Sequence, residues 1–197
     1  PVTEFLQRYP QLSIEWMLND RSADFLGDNL DCAIRVGVEV DPATVSVLLA
    51  EVPRSVVASP ALLARFPAVN TPEDLQQFPW IAISSFYQRH VELFHDATSA
   101  TARIAITPRL STDSLYVARN TALTGLGVAA VSSWTVQDDI REGRLVHLLP
   151  EWQPAALPVH LVYPWSRYYP ARLRRFLELM RQVMPEVTGM RKPVQQP

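Results

Sequence analysis

The chain has 197 residues, 48% of them hydrophobic and 19% charged, with a net charge of −2. That balance supports a sizeable core in one large or two small domains and excludes global disorder. It lacks the clustered basic face of a direct nucleic-acid binder, and its single cysteine, Cys32, excludes a disulfide framework and a multi-cysteine zinc site.

No run reaches the roughly 18–20 apolar residues that a membrane helix needs. Six glycines against 17 prolines fit sharp element ends better than flexible linkers. The chain opens at Pro1 already in a helical pattern, so its natural start is expected upstream.

Residues 3–9 read as a helix stopped by Tyr9-Pro10. Apolar alternation over 12–18 predicts a strand, and Asn19-Asp20 a turn and N-cap for a short helix over 21–28. The run Asp31-Cys32-Ala33-Ile34-Arg35-Val36-Gly37 predicts the next strand, in a right-handed parallel strand–helix–strand unit. Strands follow at 45–49 and 55–58. Ser59-Pro60 then caps a helix that runs to Phe66. Thr71-Pro72-Glu73-Asp74 repeats the capping device, and 80–84 is a buried strand.

Residues 86–102 give no clear periodicity, and 103–107 alternate as a strand. Ser111-Thr112-Asp113 cap a helix through Thr124, with Leu115, Ala118 and Ala122 on one face. Residues 126–131 form the second glycine-led strand. Ser132 or Ser133 caps a helix through Arg141 that ends at Gly143. Strands at 144–149 and 159–163 flank a proline-bounded loop over 150–154, and a last helix runs from about Pro170 to Met184. Residues 185–197 are expected to form a flexible tail.

No catalytic constellation stands out: there is no G-x-S-x-G elbow, phosphate-binding loop or H-E-x-x-H, and no nucleophile–base pair can be nominated. His90 and His95 are spaced by five, wrong for one helical face, so an exposed loop is a better reading than a metal site. Cys32 reads as a buried, inert thiol.

Polar residues at strand carboxyl ends are better candidates, because that edge of an open α/β sheet faces a crevice. They are Asn19 and Asp20, Arg35, Ser84 with Ser85, Thr112 with Asp113, and Ser132. The competing reading for each is capping or surface hydrogen bonding. Arg35 points to an anion, but it can equally hold Asp31, Asp20 or a strand end.

The strand at 31–37 resembles the D-x-A-I-R-x-G stretch of LysR-type transcriptional regulators. Ala58-Ser59-Pro60-Ala61-Leu62-Leu63-Ala64 resembles their A-S-P-x-Y-L-A segment, and Thr71-Pro72-Glu73-Asp74-Leu75 the one that follows. Thr124-Gly125-Leu126-Gly127-Val128-Ala129, Gly143-Arg144-Leu145-Val146, Leu149-Pro150-Glu151-Trp152 and the 157–164 segment continue the series in family order over residues 3–182.

The resemblance implies an α/β fold of two Rossmann-like lobes joined by two crossover segments, like type 2 periplasmic binding proteins. Lobe I comprises 1–52 plus 160–184, and lobe II 53–159. It also implies a cytoplasmic, non-enzymatic effector-binding domain without a cofactor. Such a domain takes a small molecule between its lobes and relays it to an N-terminal winged helix-turn-helix that contacts DNA. The effector positions it implies are Asn19, Asp20, Ser84 and Asp113, with Arg35 and Ser132. Homodimers or tetramers are expected, with the helices at 3–9 and 133–141 at the interface. A periplasmic solute-binding protein of a transport system is the competing class, and an enzyme on the same scaffold a third.

Overall fold

A computed structural model describes residues 2–18, 25, 27, 29–37, 43–84, 86–87 and 89–193. The chain divides into two compact units, one formed by Pro1–Val52 with Leu157–Pro197 and the other by Pro53–Ala156. Each of the three sheets lies wholly within one unit.

The first unit opens with α1 (Val2–Arg8), whose buried Phe5 meets Phe176 edge-on at 5.8 Å. Residues 12–18 form no strand, against expectation: Trp16, Met17 and Leu18 are exposed, and no ladder partner meets them among the described residues. Alternation alone does not hold an extended segment without a neighbour. The helix expected over 21–28 and the candidates Asn19, Asp20 and Ser85 lie outside the described residues, apart from isolated positions of that helix.

Strand β1 (Ala33–Val36) follows, then β2 (Thr44–Val52). β1 does not sit in a parallel unit. It pairs antiparallel with a strand more than a hundred residues away, β11 (Leu157–Pro164) in the numbering used below, which also pairs antiparallel with β2.

In the second unit β3 (Arg54–Ala58) leads into α2 (Pro60–Leu63), where the Ser59 hydroxyl accepts the Leu62 N–H at 3.2 Å. A 3-10 turn over Pro72–Gln77 closes with a capping box: Asp74 accepts the N–H groups of Asn70 and Thr71, which hold its carboxyl below the usual carboxylate range. There follow β4 (Trp80–Ile83), β5 (His90–His95), β6 (Thr101–Ala105), β7 (Pro108–Thr112), α3 (Leu115–Leu123), β8 (Val128–Ser132), α4 (Ser133–Arg141), β9 (Val146–His147) and β10 (Trp152–Pro154).

The main sheet runs β7-β4-β8-β3-β9. β4 is parallel to both β7 and β8, while β3 is antiparallel to β8 and β9. Its central strands are buried on both faces, so neighbouring residues enter different cores. Val56, Ala58, Trp80, Ala82, Val128 and Ala130 join Leu62, Leu75, Val91, Leu93 and Ile104 on one side. Val57, Ile81, Ile83, Ala129 and Val131 join Ala118, Ala122, Val136 and Leu145 on the other. Each large apolar side chain removed from water contributes about 1.5–3 kcal/mol.

The poorly legible stretch over 86–102, the strand expected over 103–107 and the loop over 150–154 supply a second sheet, β10-β5-β6, which closes the first of these cores. The expected strand over 144–149 is reduced to β9.

Back in the first unit, α5 (Ala171–Val183) lays Leu173, Leu177 and Met180 against Leu49, Val52 and Leu161. The segment after Pro185, read as a free tail, returns to the sheet as far as Arg191. Arg191 and Glu51 exchange both backbone hydrogen bonds at 2.9 Å, and the Arg191 Nε donates to the Glu51 carboxylate at 3.1 Å. The bridge satisfies backbone groups that β2 otherwise presents at a sheet edge.

Candidate functional site

Because β7, β4 and β8 are parallel, their carboxyl ends share one edge of the main sheet. β3 enters at the same edge, with its first residue, Arg54, opposite Ser132. That edge of an α/β sheet is where ligand-binding residues collect.

Three of the sequence candidates are brought together there. Ser84, exposed, follows β4 directly, and its N–H donates to the Thr112 carbonyl at 2.9 Å. Asp113, also exposed, follows β7. The capping role expected of Asp113 falls instead to Ser114, whose Oγ accepts the Val117 N–H at 3.4 Å, while Thr112 Oγ1 accepts the Ser114 N–H at 3.0 Å. Ser132 is buried at the end of β8 and makes no side-chain cap bond. Its carbonyl accepts the Thr135 hydroxyl at 2.7 Å, and the neighbouring Ser133 hydroxyl shares a hydrogen bond with Ser55 at 2.8 Å.

Partly exposed aromatic residues leave the same edge: Phe86 after β4, Tyr116 in the first turn of α3, and Trp134 in the first turn of α4. Hydroxyls and a carboxylate beside aromatic surface make an edge suited to a small polar–aromatic molecule.

Arg35 belongs to the other unit. It lies in β1 opposite His160 and is engaged in interactions of its own.

Arg54 was not among the candidates. It is only 8% exposed, although it begins the wholly buried strand β3. Its Nε donates to the Ala155 carbonyl at 2.7 Å, and its guanidinium carbon lies 5.0 Å from the Tyr87 ring centre and 5.8 Å from that of Phe86. A charged residue two positions before the apolar run Val56-Val57-Ala58 was the signal available in the sequence.

The histidines at 90 and 95 lie in β5, not in a loop. The His95 Nδ1 faces the N–H groups of Ala97 and Thr98, its ring packs edge-on against Trp152, and His90 meets Arg103. Among the described residues no three His, Cys, Asp or Glu side chains cluster as metal ligands. Burial and then Asp31 push the Cys32 thiol up to about 11, so it is protonated at neutral pH. A groove of about 300 Å³ between α1 and α5 is lined by charges of both signs, Glu4, Arg8, Arg175 and Glu178 among them.

Residues 2–185 match the family model of the LysR substrate binding domain. The chain is 30% identical over 178 residues to the HTH-type transcriptional regulator PtxR of Pseudomonas aeruginosa, covering 90% of this chain and 57% of that protein. It is 30% identical over 185 residues to an HTH-type transcriptional repressor of P. aeruginosa strain UCBPP-PA14, covering 93% and 58%. The chain thus spans a little over half the length of these relatives.

Among solved structures, the regulatory domain of CrgA, a LysR-type transcriptional regulator from Neisseria meningitidis, superposes with a TM-score of 0.71 at 26% identity. That match covers 92% of this chain and 88% of that one. The α/β architecture is that of the type 2 periplasmic-binding-protein-like regulatory domains. With nearly its whole length matched, the chain belongs to the LysR substrate-binding-domain family.

Proposed function

We propose that this chain is the effector-sensing domain of a LysR-type transcriptional regulator and that it binds a small molecule at the carboxyl edge of the β7-β4-β8 sheet. The observation that carries the reading is the convergence of Ser84, Asp113 and Ser132 on one edge in a member of this family. Of the residues expected from sequence, these three are retained as effector contacts. Asn19, Asp20 and Arg35 belong to the same reading as contributions from the segments around β1.

We read the two units, 1–52 with 157–197 and 53–156, as the two lobes, which the sequence reading divides three residues later, at 159/160. The chain crosses between them at Val52–Pro53 and Ala156–Leu157, where a change in one unit reaches the other through the backbone. In the full-length protein the signal goes to a helix-turn-helix in the cytoplasm, with the regulator acting as a homodimer or tetramer. DNA is contacted only by that other part of the protein. No catalytic role is assigned, and the relatives named above are regulators.

A thermal-shift screen of small organic acids, aromatic acids and their neutral analogues tests the proposal. A compound at a hundred times its dissociation constant adds about 2.7 kcal/mol of stability. The expected outcome is at least one compound that raises the melting temperature, with the rise diminished by Ser84→Ala and Asp113→Asn. A screen in which no compound moves the transition refutes the effector reading.

A further inference from the structure

The guanidinium of Arg54 is buried, and among the described residues no carboxylate balances its charge. Its Nη1 has no hydrogen-bond partner, and neither has the hydroxyl of Tyr87, whose ring lies beneath the same guanidinium. Both atoms are shielded from solvent, and the two side chains are 8% and 6% exposed. No carboxylate is paired with Arg54: its one hydrogen bond among the described residues goes to the Ala155 carbonyl, a neutral acceptor.

Burial disfavours the charged guanidinium and drives its proton affinity down, yet an arginine side chain does not deprotonate in a protein. Burial, partly opposed by Arg54, pushes the Tyr87 phenol up to about 12, so it keeps its proton. Two N–H and O–H donors, one of them cationic, are therefore held ready in a dry place. A buried donor without an acceptor costs free energy that a typical fold avoids, and such groups mark strain or function.

We propose that Arg54 and Tyr87 form the anchoring point for the carboxylate of a small organic acid, the guanidinium supplying charge and the phenol a second hydrogen bond. The inference rests on the effector reading above and names its ligand class.

A single guanidinium balances one negative charge, which suits a carboxylate better than a phosphate dianion. The rings of Phe86 and Tyr87 beside it favour an acid with an aromatic or bulky apolar body. Phe86, whose ring centre lies 5.8 Å from the guanidinium carbon, is 38% exposed, so aromatic surface beside the guanidinium reaches solvent. Arg54 also pairs with Ser132 in register, which puts the anchor at the same sheet edge as the hydroxyls already assigned.

The test is calorimetric titration of the full chain with phenylacetate, its uncharged isostere phenylacetamide, and inorganic phosphate. Arg54→Lys keeps the charge but loses the planar fork; Tyr87→Phe keeps the ring and removes only the hydroxyl. The expected result is that phenylacetate binds about tenfold more tightly than phenylacetamide and more tightly than phosphate. Arg54→Lys weakens phenylacetate about tenfold, and Tyr87→Phe weakens it severalfold. Should Arg54→Lys fail to fold, Tyr87→Phe decides.

Equal affinity of Tyr87→Phe and the parent chain for phenylacetate overturns the proposal. So does equal affinity for acid and amide, a preference for phosphate, or no binding of either anion, as expected of a site that holds only water. A neutral compound that stabilises the parent and Arg54→Lys chains alike removes the carboxylate anchor while leaving the effector reading intact. A thermal screen with no hit at all removes the effector reading itself.

Discussion

At the scale of single residues, the two buried charges of the second unit make opposite cases. Arg54 has no carboxylate partner among the described residues. Asp139, fully buried in α4, is over-satisfied: its carboxylate takes Arg119 Nε and Nη2 at 2.5 and 2.8 Å, and Arg144 Nε and Nη2 at 2.9 and 2.6 Å. The Asp139 carbonyl also accepts the N–H groups of Arg144 and Leu145, and Arg144 turns its other nitrogen to Glu142. One carboxylate thus ties α3 to α4 and to the turn before β9. Burial pushes its pKa up, but the two arginines outweigh burial and hold it below the usual carboxylate range.

Asp139→Asn is expected to cost about 3 kcal/mol in urea unfolding at neutral pH. This is the low end for breaking a buried pair, because both arginines reach solvent. A carboxyl with a depressed folded pKa contributes stability above its unfolded pKa of about 3.9 and loses it as pH falls toward the folded value. The parent chain and the variant are therefore expected to converge in stability as the titration is carried below about pH 4. A constant difference across that range would show that the carboxylate charge is not what holds the three elements.

At the scale of elements, close approach explains what pattern does not. β8 begins beside β4, with the Val128 N–H donating to the Pro79 carbonyl at 2.8 Å. A Cβ on Gly127 would stand 2.7 Å from that carbonyl oxygen and 3.1 Å from the carbonyl carbons of Pro79 and Trp80, all of them backbone. Backbone cannot rotate away as a side chain tip can. Gly127→Ala is therefore expected to lose about 1–3 kcal/mol, the usual cost of overpacking a core. Melting of Gly127→Ala against Gly143→Ala separates the crowding from backbone strain: Gly143 has a φ of +72° with nothing within 4 Å of its Cβ position.

The elements also show where the sequence was readable. The strands around 56, 81 and 129 were legible because both faces are buried, leaving unbroken apolar runs. β7 was not, because Pro108–Thr112 is an edge strand of alternating partial exposure whose apolar content is almost confined to Leu110. β5 carried a usable signal, exposed His90 and Glu92 alternating with buried Val91 and Leu93, which the flanking histidines obscured. The converse error, a strand over 12–18, came from alternation without a partner. Pairing is a property of the fold and not of the segment. For the same reason the carboxyl-edge rule points to Ser84, Asp113 and Ser132 and passes over Arg54, which enters that edge on an antiparallel strand at its amino end.

At the scale of the molecule, the second unit is one continuous stretch of chain and the first is not. Residues 53–156 carry a five-stranded sheet with a core on each face, and the three-stranded sheet closes one of them. The first unit is assembled from both ends of the sequence: β11 pairs with β1 and β2 only after about a hundred residues have intervened, a loop whose closure costs entropy before any contact repays it. Residues 53–156 expressed alone are therefore expected to unfold in a single cooperative transition and to give a dispersed amide spectrum. Residues 1–52 alone are not, because β1 and β2 then lack the strand that lies between them. The isolated second unit also keeps Arg54, Tyr87 and Ala155, so Tyr87→Phe should leave its melting temperature nearly unchanged, the phenol having no acceptor to lose. A molten 53–156 fragment, retaining helical circular dichroism without a cooperative melt, would mean that its two cores depend on the rest of the chain.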